Sequence, residues 1–242
     1  MNFPLPNLFI PGVQKAGTTA LSSFLAQHPE ICLVNGKEAH VFDDPEYHKA
    51  DDKLAYAKAK YASKLMHYNG ERYILDATPI TMLHPAFIQA AATTCPDAKY
   101  VVMLRDPVER ALSHYAMTKS RGLESYSPTR AFLAEPWRMR GFYKELPHAP
   151  FESRYRDQSY LIRGRYKQQL KTLRYYVEDR NLFVAKQNDL NNKHQETLSD
   201  IFYFLDLPPV KVQKRSVFKT DKEYALPKFT EICLKALFNF FN

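Results

Sequence analysis

The sequence predicts an α/β protein in which a central, mainly parallel β-sheet is flanked by α-helices. Short apolar stretches alternate with longer helix-forming stretches, as in proteins built from strand–helix–strand units. Residues 99–106 contain a continuous apolar run, which is typical of a strand buried on both faces of a sheet. The chain has 242 residues, 45% of them hydrophobic, which predicts a single domain over residues 1–242.

The first half of the chain is expected to supply two strands and three helices. An apolar strand is predicted at residues 7–12, and a helix from about 18 to 27, where a His-Pro pair stops it. Residues 47–68 are strongly helical in composition. A strand at 72–76 then precedes a helix at 85–94.

The second half begins with the buried strand at 99–106 and a helix at 107–120, whose first residue is a proline. Residues from about 121 to 157 contain prolines and many aromatics, and predict an irregular excursion over the sheet. The remaining predicted elements are a helix at 158–178, a strand at 181–186, a helix at 194–205 and an apolar helical tail. Because the tail stops abruptly, we expect the natural chain to continue past Asn242.

The composition argues against several classes of protein. Charged residues make up 25% of the chain, which does not suit disorder. Three scattered cysteines, Cys32, Cys95 and Cys233, are too few for a disulfide framework or a zinc site and suit a reducing compartment. The N-terminus does not resemble a signal peptide, and the longest uncharged stretch, 77–96, is too polar for a membrane span. A cytoplasmic protein without a membrane span is therefore expected.

The formal net charge of +8 favours an anionic partner, although a solvated basic surface would explain it equally well. No zinc-finger, KH or RNP-like pattern supports a nucleic-acid partner. The aromatic and arginine side chains between residues 126 and 156 either cap the core or line a binding cleft for an anionic compound.

The segment Pro11-Gly-Val-Gln-Lys-Ala-Gly-Thr-Thr19 has the glycine spacing of a phosphate-binding loop, G-x-x-x-x-G-K-[ST]. Thr18 occupies the lysine position of that pattern, and Lys15 lies inside the loop instead. Backbone N–H groups of such a turn, together with a helix N-terminus, still form an anion nest. A glycine-rich turn without a ligand is the alternative.

The displaced lysine argues against a magnesium–nucleoside triphosphate as the ligand. Asp76 follows a strand, but Ala77 and Thr78 do not extend it into a metal-binding cluster. No metal ion is therefore expected to be required.

Five stretches, in chain order, resemble sulfotransferases that use 3′-phosphoadenosine 5′-phosphosulfate (PAPS), and within these the heparan sulfate N- and 3-O-sulfotransferase group. They are PGVQKAGTTALSSFLAQHPEI (11–31), GKEAHVFDD (36–44), YVVMLRDPVERALSHYAM (100–117), LIRGRYKQQLKTL (161–173) and NDL…IFYFLDLP (188–208), and the tail from Tyr224 fits as well. The resemblance implies a P-loop-like α/β fold, PAPS as the sulfuryl donor and adenosine 3′,5′-bisphosphate (PAP) as the product.

The resemblance also implies donor-binding residues. Lys15 would stabilise charge at the sulfate bridge oxygen, and the loop residues Ala16, Gly17, Thr18 and Thr19 would hold the 5′-phosphate. Arg105 and Ser113 would hold the 3′-phosphate, where the planar guanidinium suits two-point binding. Tyr166 belongs to the donor-side G-x-Y segment, and a basic loop around Lys214, Lys219 and Lys222 either closes over the nucleotide or is simply solvated. For Arg105, pairing with Asp106 or Glu109 is the alternative.

On the acceptor side, Glu38 matches the family's general base, and His40 follows two residues later, on the same side if the segment is extended. The alternatives are a Glu38–Lys37 ion pair and a packed His40. The family usually has a lysine where this chain has Ala77, which argues against a glycosaminoglycan acceptor. The acceptor is expected to be a small-molecule or carbohydrate hydroxyl, less favourably an amine. An ATP-dependent small-molecule kinase and a non-enzymatic polyanion-binding module remain the competing functions.

Overall fold

The computed structural model describes residues 4–214 and 224–242, which form a five-stranded sheet covered by helices. The strands are β1 (Leu8–Phe9), β2 (Ile31–Leu33), β3 (Tyr73–Asp76), β4 (Lys99–Leu104) and β5 (Leu182–Lys186). Their order across the sheet is β2-β3-β1-β4-β5, and all neighbouring pairs are parallel. The predicted α/β fold with a central parallel sheet is confirmed.

The helices of the described residues lie between and after these strands. They are α1 (Thr18–Leu25), α2 (Pro45–Lys49), α3 (Lys53–Ala62), α4 (Pro85–Thr94), α5 (Pro107–Ser120), α6 (Pro128–Arg138), α7 (Phe142–Glu145), α8 (Arg154–Asp157), α9 (Tyr166–Tyr176), α10 (Gln187–Asn192), α11 (His194–Phe204) and α12 (Lys228–Phe241). None of them is both long enough and apolar enough to cross a membrane.

The structure differs from the predicted elements at two places in the first half of the chain. The single helix expected at 47–68 is two helices, because the Asp52 side chain accepts a hydrogen bond from the Ala55 N–H (2.8 Å) and caps α3 as a separate helix. The strand β2 was not predicted at all. It has only three residues, too few to show a period, and is held by parallel pairing with β3, where Cys32 lies opposite Ile74.

The stretch 121–157 is more regular than its composition suggested, since it contains α6, α7 and α8. Buried carboxylates organise it. The Glu135 side chain accepts hydrogen bonds from the N–H groups of Leu161 (2.5 Å) and Ile162 (2.8 Å), so α6 is tied to the turn that precedes α9. Burial is the main influence on Glu135 and raises its pKa to about 7.

The C-terminal helix α12 packs against α5 and the turn before α9 through Leu234 and Phe238. A Cβ atom at Gly164 would lie 2.5 Å from the Cε1 atom of Phe238, so this contact requires glycine. The Asn242 side chain accepts a hydrogen bond from the Tyr166 N–H (2.7 Å) and thereby caps α9 from a distant part of the chain.

Candidate active site

The loop between β1 and α1 lies at the carboxyl end of the central strand, where parallel α/β sheets place their ligands. Its glycines are structurally required. A Cβ atom at Gly12 would lie 2.9 Å from the Cβ of Met82, and Gly17 has a φ of 89° in the left-handed region. The Val13 N–H donates to the Met103 carbonyl (2.9 Å), which fixes the loop against β4.

The helix that follows this loop presents free N–H groups. Within the described residues α1 begins at Thr18 without a side-chain cap and without an acidic residue in its first turn. The first N–H groups of a helix have no partner inside the helix. Gly17, Thr18 and Thr19 therefore stand where an anion would be bound by the backbone, whereas the predicted Ala16 already donates its N–H to the Val13 carbonyl (3.1 Å).

Lys15 lies in this loop with a φ of 70°. Burial lowers its pKa, and the positive charges of Arg121, Arg105, Arg110 and Lys37 lower it further, in that order. These cations make the vicinity of the loop strongly positive. An anionic ligand would offset their mutual repulsion.

Of the residues predicted for the 3′-phosphate, Arg105 lies on the β4–α5 connection and Ser113 in α5. The Arg105 guanidinium donates from Nη1 to the Lys15 carbonyl (3.2 Å) and from Nε to the Glu109 carboxylate (3.2 Å). The alternative ion pair with Glu109 thus forms, yet Arg105 also contacts the loop. Ser113 is half-buried on α5, and its hydroxyl has no hydrogen-bond partner within residues 4–214 and 224–242. The Tyr166 hydroxyl donates to the Arg105 carbonyl (3.0 Å), which joins α9 to this connection.

Part of the predicted basic loop can also be placed. The Lys214 ammonium donates to the Asn191 carbonyl (2.6 Å). Lys219 and Lys222 lie outside the described residues.

The segment that carries Glu38 and His40 is not extended, because Lys37 has a φ of 69° and His40 a φ of 52°. The two side chains nevertheless meet, with 3.2 Å between His40 Nε2 and Glu38 Oε2. The alternative pairing also occurs, since Lys37 Nζ lies 2.5 Å from Glu38 Oε1. Glu38 is therefore held by two cations.

Behind this pair lie Asp43, which was not predicted as a site residue, and Arg156, one of the arginines offered as possible cleft residues. His40 Nδ1 lies 3.0 Å from Asp43 Oδ2, and Arg156 Nη1 donates to the same oxygen (2.5 Å). Arg156 also donates to the Asp43 carbonyl. The only sequence signal for Asp43 is its position three residues after His40, and the arginine is far away in the chain.

The surrounding charges and hydrogen bonds favour different protonation states for Glu38 and His40. Burial disfavours charge on His40, but the hydrogen bonds with Asp43 and Glu38 outweigh it and raise its pKa to about 10. Burial acts to raise the pKa of Glu38, but His40 and Lys37 lower it below its usual value. At neutral pH the carboxylate is ionised, and the imidazolium donates a hydrogen bond that orients it.

Asp76 anchors this segment from β3. Its carboxylate accepts hydrogen bonds from the hydroxyls of Thr78 (2.6 Å) and Tyr61 (2.8 Å), and the Ala39 N–H donates to Thr78 Oγ1 (3.1 Å). These contacts involve both carboxylate oxygens of Asp76. Among the described residues, no group of three or more His, Cys, Asp or Glu side chains is placed to hold a metal ion.

A cavity of about 200 Å³ opens beside Glu38 and His40. It is bounded by the loop residue Gln14 on one side and by Phe151 and Arg156 of the 121–157 stretch on the other. The cleft interpretation therefore holds for Phe151 and Arg156. Other aromatics of that stretch do not line the cavity. Phe142 and Tyr155 are buried in a satellite core, and Trp137 is exposed.

Comparisons with known proteins agree over most of the chain. The sequence profile of the sulfotransferase domain matches residues 5–236. The crystal structure of a sulfotransferase from Alicyclobacillus acidocaldarius superposes with a TM-score of 0.78 at 26% identity, covering 99% of this chain and 93% of that one.

Curated relatives are similar to this chain over parts of their length. The mouse heparan sulfate glucosamine 3-O-sulfotransferase 3B1 is 38% identical over 48% of this chain and 28% of its own length. The bifunctional heparan sulfate N-deacetylase/N-sulfotransferase 1 of Caenorhabditis briggsae is 28% identical over 91% of this chain and 25% of its own length. The membrane-associated sulfotransferase kil1 of Dictyostelium discoideum is 35% identical over 46% of this chain and 22% of its own length. The chain thus spans about a quarter of the length of these relatives.

Proposed function

This chain belongs to the sulfotransferase domain family, and from that premise we propose that it transfers a sulfuryl group from PAPS to a hydroxyl of an acceptor, leaving PAP. The observation that supports the proposal best is that two kinds of residue surround one cavity. A cationic, glycine-bounded loop contributes one wall, and an ionised, hydrogen-bonded glutamate contributes another.

On the donor side, the free N–H groups at the start of α1 suit the 5′-phosphate, and the hydroxyls of Thr18 and Thr19 are placed beside them. Arg105 and Ser113 suit the 3′-phosphate that distinguishes PAPS from ATP. Tyr166 holds the backbone of Arg105 rather than carrying charge itself. The excess positive charge around Lys15 matches a donor with phosphate at both ends.

In the reaction, a bond forms between the acceptor oxygen and sulfur while the bond from sulfur to the bridging oxygen of the 5′-phosphate breaks. The proton of the acceptor hydroxyl passes to Glu38, which is ionised at neutral pH. The Lys15 ammonium neutralises the charge that develops on the bridging oxygen. His40 does not take the proton, because Asp43 and Glu38 keep it protonated, and it instead positions the carboxylate.

The acceptor is proposed to be a small-molecule or carbohydrate hydroxyl. Two of the relatives are named for heparan sulfate, which supports a carbohydrate. Ala77, where that group usually has a lysine, supports an acceptor other than a glycosaminoglycan.

The donor assignment is tested by calorimetric titration with PAP and, separately, with ATP and magnesium. We expect PAP to bind more tightly than ATP, and Arg105→Ala to weaken it about 10- to 100-fold, as the loss of one charge-assisted hydrogen-bonding partner predicts. Arg174→Ala, which removes an exposed arginine paired with Asp179, is the matched control. Preference for magnesium–ATP would instead identify a kinase.

The base assignment is tested with Glu38→Gln. This variant should fold and bind PAP normally but lose turnover of PAPS by about 10²- to 10⁴-fold, the usual contribution of a general base. Glu46→Gln, which changes an exposed glutamate paired with Lys49, should retain full turnover. Near-normal turnover in Glu38→Gln would show that another group takes the proton.

A further inference from the structure

The cavity beside Glu38 contains more positive than negative charge. Two acidic side chains line it, Glu38 and Asp157, whereas the cationic side chains that line it are His40, Arg121, Arg156 and Arg163. Arg156 is paired with Asp43, and His40 with Asp43 and Glu38. Arg121 and Arg163 form no ion pair within the part of the chain that the structure describes.

Arg163 is the more unusual of the two, because it is only 3% exposed. Its Nε donates to the Ser159 hydroxyl (2.8 Å) and its Nη2 to the Arg156 carbonyl (2.9 Å), so both acceptors are uncharged. Burial, followed by the charges of Arg110 and Arg156, lowers its pKa to about 9. Among the described residues no carboxylate lies within ion-pairing distance of this guanidinium, although the charges of Asp157 and Glu135 oppose the fall in its pKa. Its burial therefore remains costly, and an anion beside it would offset that cost.

Arg121 is the solvent-exposed member of this pair of arginines. It lies just after α5, is exposed, and lines the same cavity as Arg163. Its charge is the largest electrostatic influence on Lys15 after burial, so it lies close to the transfer centre. Arginine side chains bind carboxylates and sulfates through two parallel N–H donors, a geometry that lysine cannot offer.

We propose that Arg121 and Arg163 form an oxyanion subsite for the acceptor, so that the acceptor is a hydroxyl compound that itself carries a carboxylate or sulfate group. The inference rests on the proposed function. The anionic group is bound at the arginines while the reacting hydroxyl faces Glu38 in the same cavity of about 200 Å³. Phe151 and Met117 provide apolar walls between them.

The test measures binding to the enzyme saturated with PAP, so that the donor site is filled. Two pairs of probes differ in one charge: 4-hydroxybenzoate against 4-hydroxybenzamide, and D-galacturonate against D-galactose. We expect at least one anion to bind about tenfold or more tightly than its neutral twin, and the preference to shrink as salt is added.

Arg121→Gln should abolish that preference, measured with PAP again raised to saturation because the charge of Arg121 also acts on Lys15. Arg180→Gln, which removes one positive charge from an arginine that is 78% exposed, should leave the preference intact. Arg163→Gln is a second variant, which tests the buried arginine. The Arg121→Gln variant is the decisive one, because an exposed residue can be replaced without unfolding the chain.

The proposal is overturned if neither anion binds better than its twin, or if Arg121→Gln and Arg180→Gln behave alike. Loss of turnover in Arg121→Gln with unchanged probe binding would place this arginine at the donor sulfuryl group instead, and would also overturn it. Failure of the proposed function is distinguishable, because PAP itself would then not bind to the unmodified enzyme.

Discussion

The hydrogen bond between Tyr61 and Asp76 offers a direct measure of how firmly the Glu38 segment is anchored. Both residues are buried, at 1% and 2% exposure, and the hydroxyl-to-carboxylate distance is 2.8 Å. Tyr61→Phe removes a donor from a buried carboxylate without changing the shape of the core. Hydrogen bonds to charged groups contribute about 1.5–3 kcal/mol. At about 2–4 °C per kcal/mol for a chain of this size, Tm should fall by about 3–12 °C.

The loss should also depend on pH in a defined direction. Burial raises the pKa of Asp76, and the hydrogen bonds from Thr78 and Tyr61 oppose that rise. Without Tyr61 the pKa rises further, so the charged carboxylate is penalised more. A group with a raised folded-state pKa stabilises the protein at low pH and loses that contribution as pH increases. The difference in Tm should therefore be largest at neutral pH and shrink as pH falls through the raised folded-state pKa of Asp76, because the unfolded-state pKa is the same in both proteins.

Thermal unfolding followed by circular dichroism provides the measurement, with Tyr56→Phe as the matched control. Tyr56 also donates to a carboxylate, that of Asp44, at 2.8 Å, but the site is only partly buried and Lys60 still pairs with the same oxygen. The control should lose less than about 1 kcal/mol. Equal losses in the two variants, or no loss in Tyr61→Phe, would refute the view that burial makes this hydrogen bond important.

Two further perturbations test other contacts of the site. In His40→Ala, the pKa of Glu38 should rise because the imidazolium no longer stabilises its charge, so the acidic limb of the kcat/KM profile should move to higher pH; an unmoved limb would show that His40 does not act on this carboxylate. In Gly164→Ala, the new Cβ would lie 2.5 Å from the ring of Phe238, and overpacking should cost about 1–3 kcal/mol in denaturant unfolding. Adding Phe238→Leu should recover much of that loss, and a double variant as unstable as the single one would contradict the steric explanation.

Features that depend on neighbours in the chain were predictable from the sequence. The start of α5 is an example, because Asp106 accepts hydrogen bonds from the N–H groups of Val108 (3.0 Å) and Glu109 (2.9 Å), and Pro107 occupies the first helical position. The glycine spacing also identified Gly17, whose left-handed φ of 89° is a local requirement. Interactions of this kind involve only residues close together in the chain, so a sequence pattern can reveal them.

Features that depend on distant parts of the chain were not predictable. Arg156 meets Asp43 across 113 positions, and Asn242 caps a helix that begins 76 positions earlier. The sequence around either residue does not indicate its distant partner, since an arginine among other arginines, or a C-terminal asparagine, is common on protein surfaces. The same holds for Arg163, whose uncharged hydrogen-bond acceptors become visible only once the fold has placed Ser159 and Arg156 around it.

The central position of β1 has a consequence for how the chain acquires its structure. This strand is made of Leu8 and Phe9, near the beginning of the chain, yet both of its partners are supplied much later, since Leu8 pairs with Leu75 of β3 and Lys99 of β4. During synthesis the strand therefore remains unpaired until β3 has left the ribosome, and one of its edges remains unpaired until β4 has followed. We expect folding to be governed by these non-local pairings rather than by its helices, and nascent chains that end before β4 to be prone to aggregation.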